Sequence, residues 1–349
     1  MKKVSVVILN WNGADMLRRF LPSVVEFSFI EDEQVEVVVA DNGSEDDSVA
    51  VVREEFPSVK VVELGENYGF AEGYNKALDK LDAEYAVLLN SDVEVTPGWL
   101  CAPVRFLNMH QNVAACQPKI LSLRARDEAG EDVFEYAGAA GGYIDRWGYP
   151  FCRGRIFSTV EKDEGQYDKL APVFWASGAA LFVRLNVFRE TGGLDARFFA
   201  HMEEIDFCWR LRSRGYSVVC VPESKVYHLG AATLEPGPKK VYLNFRNNLM
   251  MLYKNLPEYE LRKVLLFRAV ADRLAALKFR LEGKSDCAEQ VMKARADFRR
   301  ARKDYTLDRA RNLVYGAEEN ILQRVSFSIV WRYFGRRQKT FGELNIKKK

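Results

Sequence analysis

Tyr85-Ala86-Val87-Leu88-Leu89-Asn90-Ser91-Asp92 is the stretch that decides the fold. Five apolar residues in an unbroken run read as a strand buried on both faces, and such strands belong to parallel sheets covered by helices. The run stops at three polar residues, the last a carboxylate. Upstream the same arrangement recurs: 4–9 is continuously apolar and ends at Asn10, 35–40 ends at Asp41, and 59–64 leads to Asn67. Between these runs, 15–27 carries Met16, Phe20, Val24 and Phe27 at helical spacing, and 48–56 and 70–81 are also helical. Strand and helix in alternation predict an α/β fold with a mainly parallel central sheet and helices on both faces. In such sheets ligands bind at the carboxyl ends of the strands, where these polar residues fall.

Composition supports a folded, reducing-compartment protein. The 349 residues are 48% hydrophobic and 29% charged, without low-complexity segments or internal repeats, which excludes global disorder. Six scattered cysteines, none at metal or redox spacing, suit a cytoplasmic location better than a disulfide framework. The six-residue apolar run after Lys3 is too short for a signal-peptide core, and no segment reaches the ~18 apolar residues of a spanning helix. The formal charge of +2 hides an asymmetry: residues 239–349 hold 27 Lys and Arg against 12 Asp and Glu, and residues 1–238 hold 24 against 37. An acidic body and a basic final third, separated by Pro236-Gly237-Pro238, predict units at 1–238 and 239–349. The first divides again at about residue 120.

Several motifs carry chemistry. Asp92 at a strand end suits a divalent cation with oxygen ligands, although an Asp there more often caps a turn. Asp41 ends an apolar strand and can accept hydrogen bonds from a base or ribose; the following Asn42-Gly43-Ser44 is ordinary turn chemistry. Asn67-Tyr68-Gly69-Phe70-Ala71-Glu72-Gly73-Tyr74-Asn75 can bring backbone close to a phosphate or sugar. It is neither a P-loop nor a dinucleotide fingerprint. Glu203-Glu204-Ile205-Asp206 packs three carboxylates into four residues between aromatic flanks; mutual repulsion calls for a cation, a functional role or a solvated helix start. His228, ending the apolar run of Val226-Tyr227-His228, is by itself an ordinary core histidine but complements Asp92 as a metal ligand.

In this order and spacing the segments resemble the family 2 glycosyltransferases, which have the GT-A fold, and within them the rhamnosyltransferase-like branch of bacterial surface polysaccharide synthesis. The resemblance covers roughly residues 3–256. It implies that Asn10, Asp41, Asn67, Gly69, Asn75, Asn90 and Ser91 bind a nucleotide-sugar donor. It also implies that Asp92, with His228, holds Mg²⁺ or Mn²⁺, and that Trp175, Gly178 and Glu203 lie on the acceptor side. Gly192-Gly193-Leu194-Asp195 resembles the family's Gly-Gly-Phe-Asp turn. The catalytic base is expected at Glu204, with Asp206 as alternative and Arg210 orienting the cluster. Two residues depart from the family pattern: Asn90 replaces the first Asp of Asp-x-Asp, and Glu204 replaces an Asp. The implied reaction is a single inverting displacement from a UDP- or dTDP-sugar, dTDP-rhamnose among them, onto a lipid-linked or glycan acceptor.

The polar, glycine-rich stretch 122–172 reads as loops and irregular strands around an acceptor cleft. Arg246-Asn247-Asn248 resembles a segment that this branch carries after the catalytic part. Beyond it, 259–281 and 287–305 read as helices, and the aromatic, basic 321–334 suits an interfacial element at an anionic membrane or a tail helix packed on the body. That points to the inner face of the cell membrane. No recognition motif supports nucleic acid. A sugar-phosphate nucleotidyltransferase would want Arg and Lys in the loop 10–15, which lacks them; a non-catalytic nucleotide-sugar-binding scaffold is the other alternative.

Overall fold

The apolar runs fold as the periodicity requires. The computed structural model describes residues 3–230, 237–315 and 321–346. Its first part alternates β1 (Lys3–Asn10), α1 (Ala14–Phe27), β2 (Gln34–Asp41), α2 (Ser48–Glu55), β3 (Lys60–Glu63), α3 (Gly69–Asp79) and β4 (Tyr85–Leu89). These four strands pair in parallel in the order β3-β2-β1-β4. Val4, Val6 and Val7 of β1 and all five residues of β4 are fully buried, because helices cover both faces.

The sheet then becomes mixed. β5 (Val93–Val95), α4 (Cys101–Met109), β6 (Val113–Ser122) and α5 (Leu123–Ala129) precede four short strands, β7 (Gly142–Asp145), β8 (Pro150–Cys152), β9 (Arg155–Ile156) and β10 (Thr159–Val160). After β11 (Ala171–Pro172) come β12 (Ala180–Arg184), α6 (Leu185–Glu190), α7 (Glu203–Ser213) and β13 (Ser217–His228). β12 runs antiparallel between β4 and β6, and β13 is parallel to β6 but antiparallel to β5 and β11. In the large sheet, parallel pairing is thus confined to the first four strands and the β6–β13 pair. Two of the antiparallel contacts build the site: β12 on β4 sets Ser177–Ala179 beside Asn90, and β13 on β5 sets His228 beside Asp92.

The final third is mainly helical, with α8 (Pro238–Asn255), α9 (Glu258–Leu281), α10 (Ser285–Ala301) and α11 (Thr306–Val314), followed by short helical turns at Trp331–Gly335 and Gly342–Leu344. Pro236 of the proline break lies outside the described residues. Helix α8 is tied to the body by Lys254 and Asn255, which reach Asp206 of α7. The 321–334 segment is no free interfacial helix. Its β14 (Arg324–Val325) joins β7 as the fifth strand of a small sheet, and the Ile329 amide donates to the buried Asp145 carboxylate at 2.9 Å. Phe151, Ile156, Val325, Ile329 and Tyr333 form the core beneath it. Stretch 122–172 is therefore a sheet that the tail completes, a pairing across about 180 residues that has no local signal.

Candidate active site

Two adjoining cavities open at the carboxyl ends of the parallel strands. The smaller, about 180 Å³, is lined by Leu9, Asn10, Trp11, Asn42, Asn67, Gly69, Phe70, Asn90, Ser91, Phe199, Ala200 and Lys239. Asn10 ends β1 with its Oδ1 buried and without a hydrogen-bond partner among the described residues. Asp41 lies just behind this wall; one oxygen accepts from the Ser44 amide at 3.0 Å, and the other is buried without a hydrogen-bond partner among the described residues. Asn42 organises the next loop: its amide donates to Asn67 Oδ1 and the Gly69 carbonyl, and its oxygen accepts from the Tyr68 amide. At Gly69, φ is +75° and a Cβ would meet the Phe199 ring at 2.5 Å, so only glycine fits. The Phe199 carbonyl in turn accepts from the amides of Phe70 and Ala71 at the start of α3, closing the wall.

The larger cavity, about 500 Å³, shares Phe70, Asn90 and Ala200 with the first and is lined further by Glu135, Tyr136, Ser177, Gly178, His201, Glu203, Glu204, His228 and Lys240. Oε2 of Glu203 and of Glu204, and Nε2 of His201, are buried there without hydrogen-bond partners among the described residues. Leaving such atoms unsatisfied is costly, and a ligand that supplies partners recovers the loss. Burial pushes the Glu204 carboxyl up to about 7. Glu203 is held well above the carboxylate range by burial and by the adjacent Glu204 charge. Burial, with Lys240 nearby, lowers His201 to about 4, leaving it neutral. Gly178 keeps the floor open: a Cβ there would approach Phe70 at 3.3 Å and Glu204 Cβ at 3.9 Å.

The glutamates sit at the start of α7, behind a strained loop. Phe199, His201 and Met202 adopt φ of +64°, +70° and +74°, conformations that cost about 1–3 kcal/mol each unless the surroundings enforce them. Asn247 of α8 supplies the enforcement, its single amide donating to the carbonyls of Phe198, Ala200 and His201 at 2.8–2.9 Å. Arg246 adds bonds to the carbonyls of Arg197 and Phe198. Asn247→Ala is therefore expected to cost about 1–3 kcal/mol in denaturant unfolding and to lower kcat roughly tenfold or more with little change in donor affinity. Equal losses in kcat and donor affinity would contradict this positioning role.

Asp92 and His228 meet as the β5–β13 pairing requires. Their Oδ1 and Nε2 lie 3.1 Å apart, both side chains are buried, and Asn90 Nδ2 is 3.4 Å from the same imidazole nitrogen. Nδ1 of His228 faces Glu135 Oε2 at 3.4 Å. Burial alone would lower the imidazole, but Asp92 and Glu135 outweigh it and lift His228 to about 10.

Asp41 and Asp92 are buried and line neither cavity directly, and three further expected site residues lie elsewhere. Asp206 is fully buried and does not reach the cavity: Arg210 and Lys254 hold one oxygen at 2.9 and 2.8 Å and Asn255 the other at 2.8 Å. Its two-residue offset from Glu204 turns it toward the opposite side of α7, and Arg210 serves Asp206 alone in the cluster. Asn75 lines neither cavity; both ends of its amide clamp the backbone of Leu194. Trp175 packs its ring on Gly142 and donates to the Tyr143 carbonyl, supporting the floor from behind. Conversely, Asn42, Glu135, His201 and the pair Lys239 and Lys240 line the cavities without a motif to mark them. The polar strand-end signal at Asp41-Asn42 was available for Asn42; nothing local singles out the others.

Residues 5–152 match the model of the family described as Glycosyl transferase family 2. The N-acetylglucosaminyl-diphospho-decaprenol L-rhamnosyltransferase of Mycobacterium tuberculosis is 30% identical over 239 residues, covering 64% of this chain and 75% of that protein. The low-salt glycan biosynthesis hexosyltransferase of Haloferax volcanii is 25% identical, covering 71% and 74%. Among solved structures, Staphylococcus aureus TarS in complex with UDP-GlcNAc superposes with a TM-score of 0.55 at 16% identity over 90% of this chain and 89% of that one. A Pyrobaculum calidifontis mannosyltransferase with GDP-Man and Mn²⁺ gives a TM-score of 0.52 at 15% identity over 99% and 85%. These structural likenesses establish the GT-A fold.

Proposed function

The chain belongs to glycosyl transferase family 2, and on that footing we propose that it transfers a sugar, with inversion, from a UDP- or dTDP-sugar to a hydroxyl of a lipid-linked glycan in cell-surface polysaccharide synthesis. The observation that carries the reading is Glu204: a carboxylate oxygen without a partner among the described residues, in a cavity that shares a wall with a strand-end pocket of nucleotide-binding character. The diphospho-decaprenol acceptor named for the mycobacterial relative supports a lipid-linked substrate, and with it transfer at the inner face of the membrane.

In this reading Trp11, more than half exposed beside Asn10, offers a face on which the base stacks, and Asp41 and Asn42 support the ribose side. Lys239 stands over the donor pocket as a counter-charge to the diphosphate. Asp92 and His228 would hold a divalent cation: the Asp92 oxygen and His228 Nε2 converge, Nε2 becoming a ligand once the imidazole gives up the proton that Asp92 and Glu135 stabilise, with Glu135 behind Nδ1 orienting the ring. No group of three or more His, Cys, Asp or Glu able to hold a metal occurs among the described residues, so a cation here would draw two ligands from these side chains and would need others from its substrate or solvent. Mg²⁺ or Mn²⁺ bound there stabilises the negative charge on the nucleoside diphosphate. Glu204 accepts the proton of the acceptor hydroxyl as that oxygen bonds to the anomeric carbon and the bond from this carbon to the diphosphate breaks.

The test is transfer to a synthetic polyprenyl-diphosphate sugar, preceded by a thermal-shift panel of UDP-, dTDP- and GDP-sugars with and without Mn²⁺. One donor raising the melting temperature, more so with the ion, is the expected result. Stabilisation by none would overturn the donor assignment. Asp92→Ala is expected to abolish the Mn²⁺-dependent part of that shift; an undiminished shift would remove Asp92 from the metal site. Because a base works only when ionised, kcat/KM should fall as pH drops through about 7, where Glu204 takes up its proton. A profile flat from pH 6 to 8 would count against Glu204.

A further inference from the structure

Helix α9 carries an exposed apolar stripe that the proposed chemistry does not use. Leu266, Val270, Leu274, Leu277 and Leu281 recur every three or four residues and are all more than half exposed, from 52% at Leu277 to 81% at Leu281. They share one face of the helix. On helical projection Arg262, Arg273 and Arg280 run along one edge of that stripe and Lys278 along the other, all exposed. Acidic residues are exposed only at the two ends of the helix, at Glu258 and at Glu282, which lies 3.6 Å from Lys278; between them Glu260 is half-buried in a pair with Arg324, and Asp272 is fully buried.

The stripe is continuous with a second apolar patch. Lys278 Nζ lies 5.8 Å from the Phe334 ring centroid, and Lys339 Nζ lies 5.5 Å from the same centroid. Phe334 and the nearby Trp331 are both more than half exposed. The opposite face of α9 is locked in place. Leu261, Val264 and Ala276 are buried, and Arg268, Asp272 and Arg295 form an internal ion-pair network. The helix is therefore formed before anything docks on it.

We infer that the outer face of α9, with Trp331 and Phe334, is a docking surface for an anionic lipid bilayer. Apolar side chains between basic edges, with an aromatic pair at the margin, match the interfacial layer, where leucines enter the acyl boundary and arginines meet lipid phosphates. The surrounding 239–349 region, with 27 basic against 12 acidic residues, adds long-range attraction to the same surface. A second copy of the chain fits the face poorly, because it would set the basic edges of one α9 against those of the other. No helix among the described residues is long and apolar enough to cross a membrane, so contact through α9 is peripheral.

The experiment is co-sedimentation of the full chain with vesicles of phosphatidylcholine, with and without phosphatidylglycerol. Wild type should bind the anionic vesicles, lose them in high salt and ignore the neutral ones. The variant Leu266→Ser, Leu274→Ser, Leu277→Ser, and separately Arg273→Gln, Lys278→Gln, Arg280→Gln, should each weaken binding by roughly tenfold or more. Both should keep the wild-type melting temperature and donor thermal shift, since the changed side chains face solvent. Absent binding to anionic vesicles, equal binding to neutral ones, or unchanged binding by the serine variant would each overturn the inference. So would a wild-type dimer that the serine variant converts to monomer. A failed donor assignment would show in the thermal-shift panel and leave vesicle binding untouched.

Discussion

Glu204→Gln is expected to lower kcat by roughly 10²–10⁴-fold, the range for loss of a general base, while the donor thermal shift stays as in wild type. The amide keeps the size of the carboxylate and its place beside Phe70 and Gly178, so the cavity retains its shape. What it loses is the ability to accept a proton. Melting temperature should hold or rise, because burial disfavours the ionised Glu204, as its elevated pKa shows, and the amide cannot ionise. The measurement is single-turnover transfer with saturating donor, beside the melting curve. Turnover within a few-fold of wild type would exclude Glu204 as base, and a collapsed melting temperature would mark it as structural.

The second large effect lies two residues away and has the opposite character. Asp206→Asn is expected to destabilise the fold by about 3–5 kcal/mol, the usual cost of stripping one member from a buried charged network. Lys254 would keep Asp195, to which it is bonded at 2.6 Å, but Arg210 would face a neutral amide with no other carboxylate at its Nε. Asp195 is itself held well below the ordinary carboxylate range: burial opposes its charge, but Arg197 and Lys254 prevail. The Arg197–Asp195–Lys254–Asp206–Arg210 chain thus joins α7 and α8 as one network. The loss should appear as a fall in melting temperature of about 4–7 °C for a chain of this length, with kcat per folded molecule largely kept at low temperature. A stable variant without turnover would reverse the roles of the two carboxylates.

Much of the donor side was legible before folding. Asn10, Asp41, Asn67 and Asn90 were expected at or just after the ends of apolar strands and are found there, because an unbroken apolar run followed by a polar residue is a local signal. The acceptor side was far less readable. Glu135 sits in a stretch without periodicity and becomes relevant only because β13 carries His228 to it. Asn247 belonged to a segment set aside by resemblance alone, and its role as a clamp exists only once α8 lies across residues 198–201. Trp175 and Asn75 carried the right neighbours in sequence, but their side chains turn into packing and backbone support.

The sequence by itself determined the α/β alternation, the parallel order of the first strands, the strand-end position of the donor residues and the segregation of positive charge into the final third. Each of these follows from side-chain periodicity and composition, which act between near neighbours. Tertiary structure alone decided that Glu203 and Glu204 face the cavity while Asp206 turns into the core. Helical geometry separates Glu204 from Asp206 around α7, but which side is core depends on Lys254 and Asn255, nearly fifty residues away. It also decided that the tail completes a sheet at β7 and that α9 leaves Leu266, Leu274, Leu277 and Leu281 uncovered. Those outcomes rest on pairings between distant segments, whose free energy appears only when both partners are in place.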